Sequence, residues 1–226
     1  MRSSLPLLSL LETRVLGVLV EKERTVSDTY PLSLNSLASG CNQKSNRDPV
    51  IEATEAEVQA AVDALKALVL VIESSGARVA RYSHNIGRVL RIPDQAVALL
   101  AGLMLRGAQT SAELRTGTER LHRFADISSV DAFLDELAAR AEEQGGALVK
   151  KLGRRPGERE ARWMHCLSGP PVDAGAVAAA FEPSGTADVS VAEIAALKAH
   201  VGRLEHEVAQ LRDRFDKLTR ELGVST

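Results

Sequence analysis

The residue types best suited to recognition chemistry cluster in one polar loop in the first third of the chain. Three carboxamides and two cations fall there within six positions: Asn42, Gln43, Lys44, Asn46 and Arg47. Carboxamides can pair bidentately with adenine, and Lys or Arg can hold a guanine or a phosphate. The alternative is a rigid turn, in which Asn and Ser side chains bond the backbone and Arg47 pairs with a nearby carboxylate. The sequence leaves both interpretations open.

A second cationic cluster occupies the segment KKLGRRPGEREAR, which contains Lys150, Lys151, Arg154, Arg155, Arg159 and Arg162. Cations at this density can neutralise the phosphates of a nucleic acid. Glu158 and Glu160 dilute the cluster, so a solvated hairpin without a ligand is the alternative interpretation. More positive charge precedes the third helix expected in this half of the chain, at Arg115, Arg120 and Arg123.

Patterns typical of catalysis or metal binding are missing from the sequence. Cys41 and Cys166 are far apart and form no CxxC pair. The histidines have no HExxH spacing and are interpreted as structural or solvated residues; they are His84, His122, His165, His200 and His206. A Gly-rich phosphate loop and a nucleophile elbow are also missing. We therefore expect a non-enzyme without a cofactor or a metal.

The composition is that of a folded, water-soluble chain. Of the 226 residues, 45% are hydrophobic and 26% are charged, while aromatic residues make up only 3%. Aliphatic side chains must therefore build the cores. Glu12 and Arg14 interrupt the first apolar run, and no uncharged stretch approaches the roughly 20 residues that span a bilayer. We expect a cytoplasmic protein without a membrane segment.

Helix-capping signals predict where the helices that position the two clusters begin. A Ser or Thr followed three residues later by an acidic residue predicts a helix start, because the two side chains satisfy amides that the first turn leaves free. Five such pairs occur: Ser9 with Glu12, Thr54 with Glu57, Thr110 with Glu113, Ser128 with Asp131, and Ser190 with Glu193.

The first part of the chain has the element order of a winged helix. Apolar spacing predicts a helix from Ser9 to about Glu23, a short helix opening at Pro31, and a third helix from Thr54 to about Leu68. The β-branched stretches VLVIE and RVARY then predict a hairpin. We therefore expect a mainly α protein with small β-hairpins (α+β), whose first winged-helix domain covers residues 8–84.

The same order recurs over residues 85–168, which predicts a second, tandem winged-helix domain. Helices are expected from Asp94 to Arg106, at Thr110, and from Ser128 to about Glu143. ALVKKL and ARWMHCL then predict the second hairpin. We expect Trp163 to close this core, with an exposed position on the hairpin as the alternative.

The last part of the chain has a different pattern. Residues 169–189 are rich in Gly, Pro and Ala, which predicts a flexible linker. Residues 190–223 carry an unbroken heptad repeat, which favours a parallel two-stranded coiled coil and a homodimer. The predicted seam consists of Ile194, Leu197, Val201, Leu204, Val208, Leu211, Phe215, Leu218 and Leu222. The alternative is an amphipathic helix that folds back on its own domains.

A family resemblance rests on several long strings. EKERTVSDTYPLSLNSLASGCNQKSNRDPV, LMLRGAQTSAELR, ERLHRF and GRRPGEREARWMHCL resemble the YceH-like family of uncharacterised bacterial proteins. The resemblance covers nearly all of residues 8–168. It implies tandem winged-helix domains and supplies no activity or ligand.

The charge pattern bears on whether these domains bind DNA. Winged helices most often place the third helix in the major groove and the wing on phosphates. Here the third helices open with acidic residues, which repel phosphate: Glu52, Glu55 and Glu57 in the first half, and Asp131, Asp135 and Glu136 in the second. We expect a homodimeric, regulator-like protein that binds duplex DNA mainly through its second domain. The alternative is a protein-interaction scaffold with winged helices as docking modules.

Overall fold

The computed structural model describes residues 5–74, 79–154 and 157–171. Within these residues the chain forms a mixed α/β structure with seven α-helices and two small antiparallel sheets. The helices are α1 (Leu10–Thr25), α2 (Leu34–Cys41), α3 (Glu55–Ala67), α4 (Ile86–Leu90), α5 (Asp94–Arg106), α6 (Ser111–Gly117) and α7 (Ile127–Ala138). The strands are β1 (Leu32–Ser33), β2 (Val71–Ser74), β3 (Arg81–His84), β4 (Val149–Lys151) and β5 (Trp163–His165). No helix in the described ranges is long and apolar enough to cross a membrane.

Three of the expected capping boxes form, and they fix the starts of α1, α3 and α6. In each, the hydroxyl of Ser9, Thr54 or Thr110 accepts from the amide three residues on, and the acidic side chain of that residue accepts from the cap amide. The box is the reason each helix begins where it does, since both free amides of the first turn gain a partner.

The first half folds as three helices against a three-stranded sheet. β2 and β3 form the expected hairpin, with Val71 opposite His84 and Ser74 opposite Arg81. The two-residue strand β1 pairs with the other edge of β3, so the strand order is β1-β3-β2. Tyr82 of β3 is buried and closes the sheet against the helices.

The second half contains α4 to α7 and a two-stranded sheet. β4 and β5 form an antiparallel hairpin, with Val149 opposite His165 and Lys151 opposite Trp163. Gln109 lies ahead of α6 and exchanges both backbone hydrogen bonds with Trp163, at 3.0 and 2.7 Å. This bridge occupies the place that β1 has in the first half. The ring of Trp163 is 1% exposed, so the prediction that it closes the core is confirmed.

The two halves share one core through α1 and α5. Residues 13–20 of α1 and 96–105 of α5 are all buried, because these two helices pack on each other as well as on their own halves. The close approach depends on Gly17, where an added Cβ would lie 2.9 Å from Cγ and Cδ2 of Leu105. All described residues accordingly belong to one compact unit.

Several element boundaries differ from the sequence-based expectations. The third helix of the second half begins at Ile127 and ends at Ala138, because Asp126 supplies the cap at Ser129 and displaces the expected start at Ser128. The second helix begins at Leu34 after a cap by Ser33 and follows β1, which was not predicted. The short helix α4 between the halves was also not predicted.

Candidate nucleic-acid interface

Two buried arginines, Arg14 and Arg47, hold the polar loop between α2 and α3 in place. Arg14 of α1 donates from its two terminal nitrogens to the carbonyls of Cys41 (3.1 Å) and Pro49 (2.6 Å), which brackets the loop at both ends. Arg47 donates to the carbonyl of Gly40 at 3.2 Å and forms an ion pair with Glu21 of α1 at 2.6 Å. The side chain of Arg47 is fully buried, so its guanidinium does not face solvent.

The carboxamides of this loop also bond the loop itself. Asn42 makes a paired bond with the backbone of Ala53, donating to its carbonyl at 2.7 Å and accepting from its amide at 2.8 Å. Gln43 donates to the carbonyl of Ser45 at 3.0 Å. Asn46 has a positive φ of 56° and an exposed side chain. These contacts are those of the rigid-turn interpretation, and they leave Lys44 as the exposed cation of the loop.

The carboxylate of Glu21 offsets the buried positive charge of Arg47 beneath the loop. Burial alone would raise the pKa of Glu21, but the hydrogen bonds and charge of Arg47, together with Lys22, lower it overall. Burial lowers the pKa of the Arg14 guanidinium, and the neighbouring charge of Arg47 lowers it further. Burial raises the pKa of the Cys41 thiol to about 12, so the thiol stays protonated at neutral pH.

The second hairpin presents its cations to solvent. Lys150 and Lys151 lie on β4 and are exposed, and Nζ of Lys151 lies 5.1 Å from the centroid of the Trp163 ring. This is the distance of a cation–π contact, in which the Lys151 ammonium lies over the Trp163 ring. Arg154 and Arg159 are exposed on the connection between the strands. Arg155 lies outside the described residues.

Two acidic residues near this hairpin, Glu113 and Glu158, are bound by Arg162, whereas Glu160 is exposed on the connection. The guanidinium of Arg162 contacts Glu113 of α6 at 2.7 Å and Glu158 at 3.3 Å, and it donates to the carbonyl of Ala108 at 3.1 Å. Burial alone would lower the pKa of Arg162, but the two carboxylates raise it overall. Arg162 therefore acts as a clamp between hairpin and helix, and it shields the other cations from these two carboxylates.

The three arginines ahead of α7 are exposed as expected. Arg115 donates to the carbonyl of Ala125 at 3.1 Å, which ties α6 to the turn before α7. Arg123 is 87% exposed and lies 3.9 Å from Glu119, while Arg120 is exposed on the same turn. Both cationic segments of the second half are thus attached to α6, the hairpin through Arg162 and the turn through Arg115.

The third helices themselves carry acidic ends. Glu55 and Glu57 are exposed in the first turn of α3, and Glu57 is the capping partner of Thr54. Asp126 caps α7 through a 2.7 Å bond from the amide of Ser129, and Asp131 is hydrogen-bonded to Ser111. These carboxylates stabilise the helix dipole and leave neither N-terminus suited to a phosphate.

The loop and the hairpin lie on two sides of one groove. Asp48 and Pro49 of the loop line it together with Leu152 and Met164 of the hairpin, and its volume is about 540 Å³. The amide of Asp48 donates to the carbonyl of Leu105 at 2.9 Å, which fixes the loop to α5. The groove is thus lined by residues that directly follow the polar loop cluster and by one residue of the hairpin cluster, Arg162.

Arg14 is the residue of this region that sequence reasoning missed. It falls three residues after Leu11 and four before Val18, on the apolar face of α1, where an arginine requires buried acceptors. That spacing was the available signal.

In the described residues, no group of three His, Cys, Asp or Glu side chains could hold a metal ion. The nine predicted coiled-coil residues, from Ile194 to Leu222, lie outside the described residues.

Comparison with known proteins places the chain in a family. A family model described as "Protein of unknown function, DUF480" matches residues 8–158, and the chain belongs to this family. A UPF0502 protein of Methylibium petroleiphilum is 60% identical over 223 residues, which cover 99% of this chain and 93% of the relative. UPF0502 proteins of Dechloromonas aromatica and Leptothrix cholodnii are each 57% identical, and the matches cover 98% and 95% of this chain and 100% and 95% of the relatives. The resemblance to the YceH-like family is confirmed.

Proposed function

We propose that the protein is a DNA-binding, transcription-regulator-like protein built from two winged-helix domains, residues 8–84 and 85–168. Two features of the structure support the fold assignment. In each half three helices precede an antiparallel hairpin: α1 to α3 in the first half, and α5 to α7, which follow the short α4, in the second. In each half a short segment ahead of the second helix pairs with the last strand, as β1 does with β3 and Gln109 does with β5.

One observation carries the proposal of DNA binding. Four exposed cations stand on the second hairpin and its connection, Lys150, Lys151, Arg154 and Arg159, while Arg162 binds the nearby Glu113 and Glu158. On the described part of this hairpin Glu160 is exposed as well, so four exposed cations stand against one exposed carboxylate. This excess of positive charge attracts a polyanion. The exposed Arg115, Arg120 and Arg123 extend the positive surface toward the turn before α7.

This surface is suited to phosphates more than to bases. Lysine and arginine side chains on a hairpin contact the backbone of a duplex, whereas sequence is read by side chains that enter the major groove. The acidic N-terminal turn of α3 and the carboxylate-capped start of α7 disfavour such entry. We therefore expect weak duplex binding that depends strongly on salt.

A matched pair of variants tests this proposal. Binding of the intact protein to a labelled duplex is measured by fluorescence anisotropy at about 50 and about 200 mM salt. Lys150→Gln with Arg154→Gln is expected to weaken binding and to reduce the slope of log affinity against log salt by about 2, about 1 for each lost phosphate contact. Arg88→Gln with Arg91→Gln removes the same charge from α4 and the turn after it and should change the slope little. Equal affinity for both double variants would contradict the proposal.

A protein-interaction scaffold is a second candidate, favoured by the first hairpin. Ile72 of β2 and Val79 of the connection to β3 are 44% and 57% exposed, and Val69, just before β2, is 57% exposed. Exposed aliphatic side chains can contact another protein. Capture of the tagged full chain from extract with nuclease treatment separates the two candidates. Partners that survive nuclease favour the scaffold, and partners lost with nucleic acid favour the DNA-binding protein.

We further propose that the heptad repeat of residues 190–223 joins two copies, with residues 169–189 as a linker. β-branched side chains at three of the five a positions and leucine at every d position favour two parallel strands. Light scattering of the full chain should give the mass of a dimer. Leu204→Asp with Leu211→Asp should give a monomer, because charges in the seam cannot be buried. A monomeric parent chain would contradict the dimer.

A further inference from the structure

The solvent-facing side of α3 and the residues beside it form an acidic surface, which we call the acidic α3 face. Five exposed carboxylates belong to it: Glu52, Glu55, Glu57, Asp63 and Glu73. In the described residues the cation that pairs with them is Lys66, which contacts Asp63 at 3.3 Å and also binds Glu73. Asn35 donates to Glu55 at 2.7 Å, which leaves the charge of that carboxylate unchanged. The face therefore keeps a net negative charge.

Small side chains make the middle of the acidic α3 face flat. Ala56, Ala60, Ala64 and Ala67 are all exposed, and their spacing of three or four residues places them along one side of the helix. A flat helix surface admits a protruding element from another molecule. Alanine also has no rotamer freedom to lose when it is covered.

The second hairpin has the complementary charge. Lys150, Lys151, Arg154 and Arg159 are exposed there, against the one exposed carboxylate of Glu160 on its described part. Among the described residues, the ion pairs join α3 to itself and to β2, and they join the hairpin to itself and to α6. The two oppositely charged surfaces of one chain therefore do not neutralise each other, although the whole chain has a net charge of only −2.

We propose that the second hairpin of one copy binds the acidic α3 face of another copy. Every copy supplies both surfaces, and complementary charge steers them together. The contact joins two different patches, so it is of the heterologous, head-to-tail type. Exposed ion pairs are individually weak, so the contact depends on a high local concentration of chains, which the proposed two-stranded coil supplies.

The inference rests on the cationic surface of the proposed function and assigns a regulator to it. Carboxylates of a second copy occupy the cations that otherwise hold phosphates. Duplex DNA and the second copy therefore compete for the same hairpin, and each displaces the other according to its concentration.

A photo-crosslink from the acidic α3 face tests the contact. The photoactivatable residue p-benzoylphenylalanine replaces Ala64 in the full chain, which is irradiated at about 50 mM salt. We expect a covalent dimer on a denaturing gel, because only a link between copies doubles the mass there, and mass spectrometry should place the link within residues 149–163. The yield should fall at about 200 mM salt, since salt screens exposed charges, and it should fall when duplex DNA is added.

Charge reversal supplies the matched variants. Glu52→Lys with Glu55→Lys in the chain that carries the photoactivatable residue should abolish the link. Asp135→Lys with Glu136→Lys reverses two exposed carboxylates of α7, the equivalent helix of the second half, and should leave the link intact. Co-expression of the Glu52→Lys, Glu55→Lys chain with a Lys150→Glu, Arg154→Glu chain should restore the link, because the charges are exchanged between the two surfaces.

The outcomes separate this inference from the proposed function. A link that forms in a protein without affinity for DNA would support the contact between copies and refute DNA binding alone. Equal yields in the two charge-reversed variants would overturn the contact, as would a link outside the second hairpin or a loss that co-expression does not restore. A yield that duplex DNA leaves unchanged, in a protein that binds that duplex, would overturn the competition.

Discussion

At the scale of single residues, buried arginines decide the shape of the loop before α3. Arg14 brackets the loop by bonding the carbonyls of Cys41 and Pro49, and Arg47 locks its centre to Glu21. An arginine can do this because its planar guanidinium presents several donors in fixed directions. The loop is therefore a preformed surface from which Lys44 projects, and it does not need to order when a partner binds.

Arg14→Met is expected to lower the free energy of unfolding by about 3 kcal/mol, because the buried carbonyl of Cys41 and the part-buried carbonyl of Pro49 lose their donors. Urea denaturation measures the change. Arg88→Met removes an exposed arginine of α4 and should change stability by less than about 0.5 kcal/mol. Similar stability of the two variants would show that Arg14 does not hold the loop.

A pH dependence follows from His165. Its pKa is about 4 in the folded protein against an ordinary 6.5, because burial disfavours the charged ring. Between these values the unfolded chain binds more protons, so the stabilising effect of a neutral His165 is fully present above pH 6.5 and is lost as pH falls toward 4, by up to about 3 kcal/mol.

Denaturation of the parent chain and of His165→Phe across this pH range tests the dependence. The phenylalanine variant should lack the part of the slope that His165 contributes, since it has no proton to bind. His122→Gln should keep the parental slope because His165 is intact. An identical slope in the parent and the phenylalanine variant would contradict a buried, neutral His165.

Residue patterns predicted local contacts well and distant ones poorly. The boxes at Ser9, Thr54 and Thr110 were correct because both partners lie within one turn. The helix start expected at Ser128 was wrong, because Asp126, two residues earlier, caps the first turn of α7 instead. The partners of Arg14 lie 27 and 35 residues away, so only the tertiary structure identifies them.

At the scale of elements, the contact between α1 and α5 holds the two halves together. Both helices are buried over nearly their whole middle sections. A helix that packs on two sides shows apolar residues around most of its circumference, and α1 and α5 follow that rule. The contact between α1 and α5 thus joins the hydrophobic cores of the two halves into one.

Gly17→Val should disrupt the contact between α1 and α5. A Cβ at Gly17 would meet Leu105 at 2.9 Å and Met104 at 3.4 Å, so the helices must separate or repack. Overpacking of this kind destabilises by about 1 to 3 kcal/mol. Thermal unfolding measures the loss, and Ala60→Val on the exposed face of α3 controls for the helix propensity of valine. Equal losses in both variants would mean that the helices accommodate the side chain.

The elements that sequence patterns identified are the long helices and the hairpins. Periodicity over a dozen residues is a strong signal, and α5 begins and ends where it was predicted, at Asp94 and Arg106. β1 has two residues and the bridge at Gln109 has one, which is too short for any periodicity. These segments form because β3 and β5 present an open edge to them.

At the scale of the whole molecule, the shared core predicts that the first half does not fold alone. A chain of residues 1–92 would expose the face of α1 that α5 covers, around Gly17. We expect weak helical circular dichroism and poorly dispersed NMR spectra for this fragment, against cooperative unfolding of the full chain. A well-dispersed spectrum of the fragment would show that the halves are independent.

The candidate interface was predictable in composition and not in geometry. Lys150, Lys151, Arg154 and Arg159 stand out in the sequence, and all four are exposed. The burial of Arg47 against Glu21 and the clamp of Arg162 on Glu113 depend on contacts between residues far apart in the sequence, and the groove beside Pro49 depends on contacts between the halves. Such contacts leave no local trace in the sequence.

Hydrogen exchange should show directly that α1 is buried against both halves of the molecule. The amides of residues 15–20 lie in a helix that no local opening can expose without separating both halves. Their deuterium uptake should therefore be the slowest in the chain and should match the rate of global unfolding. Amides of the exposed hairpins should exchange orders of magnitude faster, so one labelling experiment would map how cooperativity is distributed along the polypeptide.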